Sequence, residues 1–486
     1  MKKLALLLVA ASIAAASPVG RDAAGAAAAA RLRRDCMAGS RAVRWSGEIT
    51  SAEGSLLAYS FDLAPAGYLI VSADDDLPPV MAYSYTDGLS GPEGSFGMAD
   101  LVALDLQQRL ALLDVTPQET IDANRALWRE YLSGEAGPLV PTLLEQWPPE
   151  GSTPTGGWLE ENWTQTAPYN AYCPMDLIAG ARSVAGCPAV AMGMILDNLE
   201  TSNGTRFDDS DDYYHNYHEF YWIDDDHIAH DFPSWPELDV LLDTLDAHYQ
   251  AGTPLTSSDK AAIEVASGFA CKQVFTASVS GTFGVSQAYD AYLRFGFPES
   301  QLLDESSESL FVILPQNMMD ARPAHLAIVD PGWQYGHNVV VDGYNTDDFY
   351  HINFGWGGSY NGWYSFPLTG MPYGMTVIEG IIVDIGTGPS SVGDQAGEGA
   401  DALSLTVAAN PVSRNPVICL ALAEGCRVSL GIYSVDGRLV GELADGQMEA
   451  GSHQFCWDAG DLPSGVYLVH ACSPLGSALL RMTLLD

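Results

Sequence analysis

Positive charge is what this chain has least of. Lys and Arg together number 21 against 62 Asp and Glu, a net charge of −41 over 486 residues. A surface this negative repels phosphate backbones and anionic lipid, so nucleic-acid binding is disfavoured. Long apolar runs are also missing. Leu4 to Ala16, after Lys2 and Lys3, is mostly apolar but too short to span a bilayer. Its basic start and following small residues fit a signal peptide over 1–17, which implies export to a secreted or cell-surface location. No later segment reaches 18 consecutive apolar residues, so no membrane span is expected. No C-x-x-C pair occurs among the eight Cys, which removes the usual zinc pattern.

What is present is enough apolar material, 47 % of residues, for several cores. Ala23 to Ala30 reads as a linker or a helix start. Strand-like runs from Ser55 to Asp74 precede helical periodicity over Asp100–Leu113 and Pro117–Leu132, a small α+β region. Pro- and Gly-rich breaks bound a central region rich in Trp and Tyr, and Gly386 to Gly399 has the composition of a flexible linker. Five short strand-like runs separated by turn residues fill 403–486, the pattern of a β-sandwich. Cys419, Cys426, Cys456 and Cys472 cluster there and predict one or two disulfides of undetermined pairing.

The chemistry lies in the middle. Gly186-Cys187-Pro188 opens a mostly apolar run to Leu196, which reads as a turn feeding a buried helix. Pro188 suits the first turn, so Cys187 falls at the helix N-terminus, where the macrodipole and free N–H groups favour a thiolate. A thiolate nucleophile needs an imidazole. His337 follows Gly336 and opens the strand Asn338–Tyr344, 150 residues after Cys187, within the roughly 130–150 spacing of papain-like enzymes. A second strand, Phe349–Phe354, carries Asn353, whose amide can hold an imidazole in its productive tautomer. Trp356 in the following Gly-rich turn can shield that bond. Gln165, 22 residues before Cys187, offers an amide to an oxyanion beside the Cys187 N–H.

These segments, NWTQTAPYNAYCP (162–174), GCPAVAMGMIL (186–196), ARPAHLAIV (321–329) and GHNVVVDGYNTDDFYHINFGWGGSYNGWYSF (336–366), resemble the streptopain family of bacterial papain-like cysteine peptidases. Pro188, Phe354 and an insertion over 147–161 depart from the family pattern. The resemblance implies Cys187 as nucleophile, His337 as base, Gln165 in the oxyanion hole, Asn353 and Trp356 as support of the His, and Gly336 at the substrate cleft. No cofactor and no metal are expected. The 59–84 segment looks like the family's inhibitory propeptide, and the tail resembles bacterial C-terminal secretion and sorting domains with an immunoglobulin-like sandwich.

The expected organisation is therefore α+β. A signal peptide (1–17) is followed by an inhibitory propeptide (18–140), a two-lobed papain-like peptidase domain (141–388), a linker (389–402) and a β-sandwich sorting domain (403–486). The expected function is a secreted cysteine endopeptidase made as a zymogen and cut near Glu135–Pro141. Its partners would be protein or peptide substrates, its own propeptide as inhibitor, and secretion machinery through the tail. The rival readings are a catalytically altered extracellular binding protein and a Cys-dependent amidase or transglutaminase. An Asp- and His-rich segment, Asp208 to Asp231, fits neither an EF-hand nor an H-E-x-x-H pattern and reads as a solvated loop.

Overall fold

The computed structural model describes residues 18–35, 37–92, 94–133, 145–304, 310–329, 336–366, 378–386 and 403–407, and most of 412–484. The signal peptide, the linker and the expected cleavage site at Glu135–Pro141 lie outside the described residues. The chain forms two compact units, Met1–Ser390 and Ser391–Asp486.

In chain order the first unit begins with helix α1 (Arg21–Arg34), strands β1 (Ala42–Thr50), β2 (Leu56–Ala64), β3 (Tyr68–Ser72) and β4 (Val80–Ser84), and helices α2 (Met98–Ala111) and α3 (Gln118–Leu132). Short strands β5 (Gln146–Trp147), β6 (Met175–Asp176) and β7 (Ala181–Arg182) lead to α4 (Cys187–Asn198). A hairpin, β8 (Tyr214–Tyr217) and β9 (Glu219–Trp222), precedes helices α5 (His227–His230), α6 (Trp235–Ala251), α7 (Ser257–Ala270) and α8 (Val285–Arg294). Strand β10 (Gln301–Leu303) and α9 (Leu310–Met319) come next. Five strands close the unit: β11 (Ala324–Val329), β12 (Gly336–Asn345), β13 (Phe349–Asn353), β14 (Gly362–Ser365) and β15 (Ile378–Val383).

Local sequence explains the helix boundaries. Helix α7 starts with Thr256 accepting from Asp259 N while the Asp259 carboxylate accepts from Thr256 N. Helix α6 has the same reciprocal box in Ser234 and Glu237 and ends at Gly252, whose φ of +59° is the left-handed cap.

One eleven-stranded sheet organises this unit, in the order β1-β2-β3-β4-β14-β13-β12-β11-β15-β10, with β5 beside β12. The region before residue 134 is thus not a separate layer. Its strand β4 pairs antiparallel with β14, with Ala82 opposite Tyr364 and Tyr83 opposite Trp363. Strand alternation sorts the core. Ala327, Val340 and Ile382 face the cluster built with α4, α6, α7 and α8. Leu326, Ile328, Val339, Val341 and Ile352 face the cluster that includes α2 and α9. Polar contacts reinforce the junction. Arg31, 1 % exposed, pairs with Asp35 at 2.6 Å and with Asp347 at 3.2 Å, and Tyr364 donates to Asp105 at 2.5 Å.

The second unit is all β. Strands β16 (Leu403–Val407), β17 (Val417–Leu422) and β20 (Gly451–Cys456) form one antiparallel sheet. Strands β18 (Cys426–Ser434), β19 (Leu439–Met448), β21 (Gly465–Ser473) and β22 (Gly476–Leu484) form another. Both contribute to one core around Ile418, Leu420, Val428, Leu430 and Val469. The disulfides expected here are corrected in part: Cys419, Cys426 and Cys456 are free thiols. Cys419 and Cys456 sit on paired strands but out of register, Cys419 opposite Gln454 and Cys456 opposite Val417. Cys426 belongs to the other sheet.

Candidate active site

Helix α4 begins as the sequence predicts. Gly186 precedes it at φ +91°, and a Cβ there would lie 2.8 Å from Gln273 Oε1, so only glycine makes this turn. Pro188 occupies the first turn and nine of the residues from Pro188 to Leu196 are buried, which fixes the helix rigidly behind Cys187. Cys187 itself is partly exposed.

The segment carrying Gln165 is tied to this helix at two points. Trp163 lies over Gly193, where a Cβ would be 3.0 Å from the indole. Ala185 N donates to the Gln165 carbonyl at 2.9 Å. Gly357 N donates to the Trp163 carbonyl at 2.9 Å, joining the same segment to the Gly355–Gly358 turn. Gln165 is buried between them.

Strand β12 brings Gly336 and His337 to the site, Gly336 exposed and His337 buried. The His337 ring stacks on Trp356 with centroids 5.3 Å apart and on Phe354 at 6.2 Å. Its Nε2 donates to the Phe354 carbonyl at 2.9 Å. The ring is therefore bonded to main chain and not to Cys187. The Cys187 sulfur instead receives the Asn338 side-chain amide at 3.8 Å. Alternation explains the exchange: Asn338 shares the β12 face of Val340, against α4, and His337 shares the face of Val339 and Val341.

Asn353 lies behind the imidazole. Its amide donates to Asn162 Oδ1 at 3.0 Å and its Oδ1 accepts from Gly355 N at 3.0 Å. Asn361 also donates to Asn162 Oδ1, at 2.8 Å, and accepts from Phe354 N at 2.9 Å. These three buried or half-buried carboxamides hold the Phe354 carbonyl and the turn carrying Trp356. Sequence reasoning missed Asn162, Asn338 and Asn361, although all three lie inside the segments it quoted.

The N-terminal region reaches the site through the loop between β4 and α2. The Phe96 carbonyl accepts the Trp356 indole N–H at 3.1 Å, and the Phe96 ring lies 6.3 Å from the imidazole. Gly91 and Gly97 lie against Tyr360 so closely that a Cβ would come within 2.3 Å and 2.5 Å of its ring. Tyr360 N donates to the Gly88 carbonyl at 3.0 Å.

This packing sets the electrostatics. Burial lowers the His337 pKa to about 4, against a raising effect of its bond to Phe354. Burial raises the Cys187 thiol above its ordinary value, with hydrogen bonds from Asn338 and from its own main chain opposing. The lowered thiol pKa expected from the helix N-terminus does not hold in this state: desolvation outweighs the donors when no imidazolium faces the sulfur.

The Asp208–Asp231 segment has its own internal order. His215 Nε2 accepts from Phe275 N at 2.7 Å, and His227 and His230 bond main-chain carbonyls. Among the described residues, the three acidic side chains whose oxygens converge are Asp74, Asp75 and Asp76, elsewhere in the fold.

A cysteine at a helix start, an imidazole on the adjoining sheet and a glutamine pinned beside the helix are the kinds of group that cysteine-type peptidases, a class of hydrolases, employ. The model of the Peptidase C10 family matches residues 163–364. A curated relative, the Thiol protease/hemagglutinin PrtT of Porphyromonas gingivalis, is 24 % identical over 311 residues. That match covers 61 % of this chain and 32 % of the relative, so the chain spans about a third of its length. Among solved structures, a prointerpain A fragment of Prevotella intermedia is similar at 18 % identity and a TM-score of 0.44, covering 71 % of this chain and 98 % of that one. Active interpain A from the same organism is similar at 17 % identity and a TM-score of 0.35, covering 50 % and 96 %. No helix among the described residues is long and apolar enough to cross a membrane.

Proposed function

We propose that this chain is a secreted cysteine endopeptidase made as a zymogen. Residues 18–140 act as an intramolecular inhibitor, 141–388 as a two-lobed papain-like domain, and 403–486 as an immunoglobulin-like module read by secretion machinery. The observation that carries the zymogen reading is the position of Phe96. Its carbonyl occupies the Trp356 N–H and its ring lies against His337, whose own N–H is spent on Phe354.

Removal of the N-terminal region frees the Trp356 N–H and uncovers the His337 ring, whose bond to the Phe354 carbonyl then breaks as the ring turns. His337, hinged after Gly336, then turns toward Cys187 and takes the thiol proton. The resulting imidazolium stabilises the thiolate, which attacks a substrate carbonyl. The tetrahedral oxyanion takes hydrogen bonds from the Gln165 amide and the Cys187 N–H. His337 then protonates the leaving amine as the thioester forms. Water, deprotonated by His337, hydrolyses the thioester and returns the thiol. Trp356 shields the imidazole and Asn353 orders the turn beneath it. Gly336 leaves open main chain for the substrate.

The test is the precursor without its first 17 residues, wild type beside Cys187→Ala, under mild reduction, followed by intact mass and casein cleavage. Loss of the 18–140 segment and casein cleavage by the wild type alone supports the reading. A wild type that stays inert after trimming by an added protease overturns it. Addition of a primary amine distinguishes hydrolysis from amide transfer by the mass of the products.

A further inference from the structure

A polar chain, buried apart from its half-buried last link, runs from helix α8 to the nucleophile. Tyr292 and His325 are both fully buried, and the Tyr292 hydroxyl lies 3.1 Å from His325 Nδ1. His325 Nε2 lies 2.8 Å from Asn338 Oδ1, and Asn338 Nδ2 lies 3.8 Å from the Cys187 sulfur. A carboxamide whose N–H₂ faces sulfur must accept at its oxygen, so His325 donates from Nε2. Its Nδ1 is then the acceptor for the Tyr292 O–H. Burial holds His325 well below its ordinary pKa, at about 4, so it is the neutral ring with one N–H that this wiring requires. All three bonds point the same way, with the last N–H on the sulfur. Bonds aligned in series polarise one another, and the low dielectric of the interior strengthens each.

We propose that Asn338 is a catalytic residue of this site, a hydrogen-bond donor to the Cys187 thiolate, and that His325 and Tyr292 are the residues that position it. The proposal rests on Cys187 being the nucleophile. Donors on sulfur favour its charged form, and a donor to an ionised group is stronger than one to a neutral group. The contact is made from the strand that carries His337, one residue on, so it exists before the imidazole arrives. Asn338 therefore supplies a thiolate donor that needs no conformational change. The main-chain N–H groups of Asn338 and of Cys187 itself also favour the charged sulfur, and both remain when the Asn338 side chain is changed. Cys271 is a fully buried thiol near the sulfur, held in its neutral form by desolvation. The His337 ring is bonded to Phe354.

The test uses the full-length precursor carrying His337→Ala, which removes the imidazole and prevents self-processing. The rate of Cys187 alkylation by iodoacetamide is followed against pH, read on the Cys187 peptide by mass. Asn338→Leu, close in size and without donors, should move the midpoint of that profile up by about one unit, with alkylation roughly 3–4-fold slower below it. The rate at the high-pH plateau should rise about 2–3-fold, because a thiolate of higher pKa is the better nucleophile. Tyr292→Phe, which keeps the ring and loses one hydroxyl, should move the midpoint the same way by less. His325→Gln, which keeps a donor at similar reach, should fall nearest to the parent. A merely structural role lowers denaturant midpoints in these variants and leaves the alkylation midpoint in place. An unmoved or lowered midpoint in folded Asn338→Leu and Tyr292→Phe overturns the proposal. Because no peptide bond is cut in this assay, its outcome is independent of whether the wild type cleaves casein.

Discussion

Trp356 donates its indole N–H to the carbonyl of Phe96 at 3.1 Å, a bond between the turn that flanks the imidazole and a loop some 260 residues earlier in the chain. The same tryptophan stacks on His337 with planes 12° apart. One side chain thus links the His337 ring to the N-terminal region.

Replacing Phe96 with Ala removes the ring from the imidazole and keeps the main-chain acceptor. An aromatic contact of this kind is worth about 0.5–1.5 kcal/mol beyond its buried area. Self-processing of Phe96→Ala should therefore run roughly 2–10-fold faster than wild type, measured by the loss of intact precursor mass with time. Equal rates would remove Phe96 from the inhibitory contact.

The buried Arg31 should matter to the precursor alone. Removing one partner of a buried ion pair costs about 3–5 kcal/mol, because the other charge is left without compensation. Asp347 is 17 % exposed and also pairs with Arg34 at 2.7 Å, which softens the loss. Arg31→Ala should lower the urea midpoint of the precursor and leave the trimmed enzyme, which lacks residue 31, with unaltered kcat/KM.

Acid should loosen the inhibited state through His337. Its pKa of about 4 in the folded precursor lies below the roughly 6.5 of an unfolded chain. A depressed histidine pKa means the unfolded state binds the proton first. Stability supplied by the neutral ring is present above pH 6.5 and is lost as pH falls from there toward 4. Between pH 7 and pH 5 the wild-type precursor should lose about 1–2 kcal/mol more than His337→Gln does, read from urea unfolding at both pH values. Parallel losses in the two proteins would mean that the ring is solvated.

The carboxamide group around Asn162 should behave as one unit. Gln165→Ala should lower kcat by about 10²–10³ with a smaller change in KM, the usual cost of one oxyanion donor. Asn162→Ala and Asn353→Ala remove neighbouring links of the same network, so their effects on kcat and on stability should be less than additive in the double variant. Additive losses would separate the two residues.

In the second unit, the free thiols give a direct check. Cys419 and Cys456 should be alkylated by a maleimide without prior reduction, and reductant should leave the thermal midpoint of this unit unchanged. Protection of both until reduction would mean that they are bonded.

Much of this is legible in the sequence. The helix start at Cys187 followed from Gly186 and Pro188, and α2 and α3 from apolar spacing. The block from Gly336 to Phe366 carried β12, β13 and the Trp356 turn in contiguous sequence. What stayed hidden depends on pairs distant in the chain. Nothing in Val80–Ser84 announces β14 as its neighbour, since pairing is set by tertiary packing and not by strand propensity. The face occupied by Asn338 is fixed by alternation, but which face meets α4 is decided by Val340 packing there. The second-unit cysteines misled because proximity in sequence does not fix register: a two-residue offset between β17 and β20 keeps Cys419 and Cys456 apart.

Strand β14 is an interior strand in the precursor, hydrogen-bonded to β13 on one side and β4 on the other. The proposed maturation would remove β4 with the rest of the N-terminal region and turn β14 into an edge, with the main-chain groups of Trp363 and Tyr364 unpaired. Bare edges recruit other strands, including those of a second copy of the same chain. The cleavage proposed to activate the chain would thus also bare an aggregation-prone edge, and a released N-terminal strand that stays bound to β14 would suppress both activity and aggregation at once.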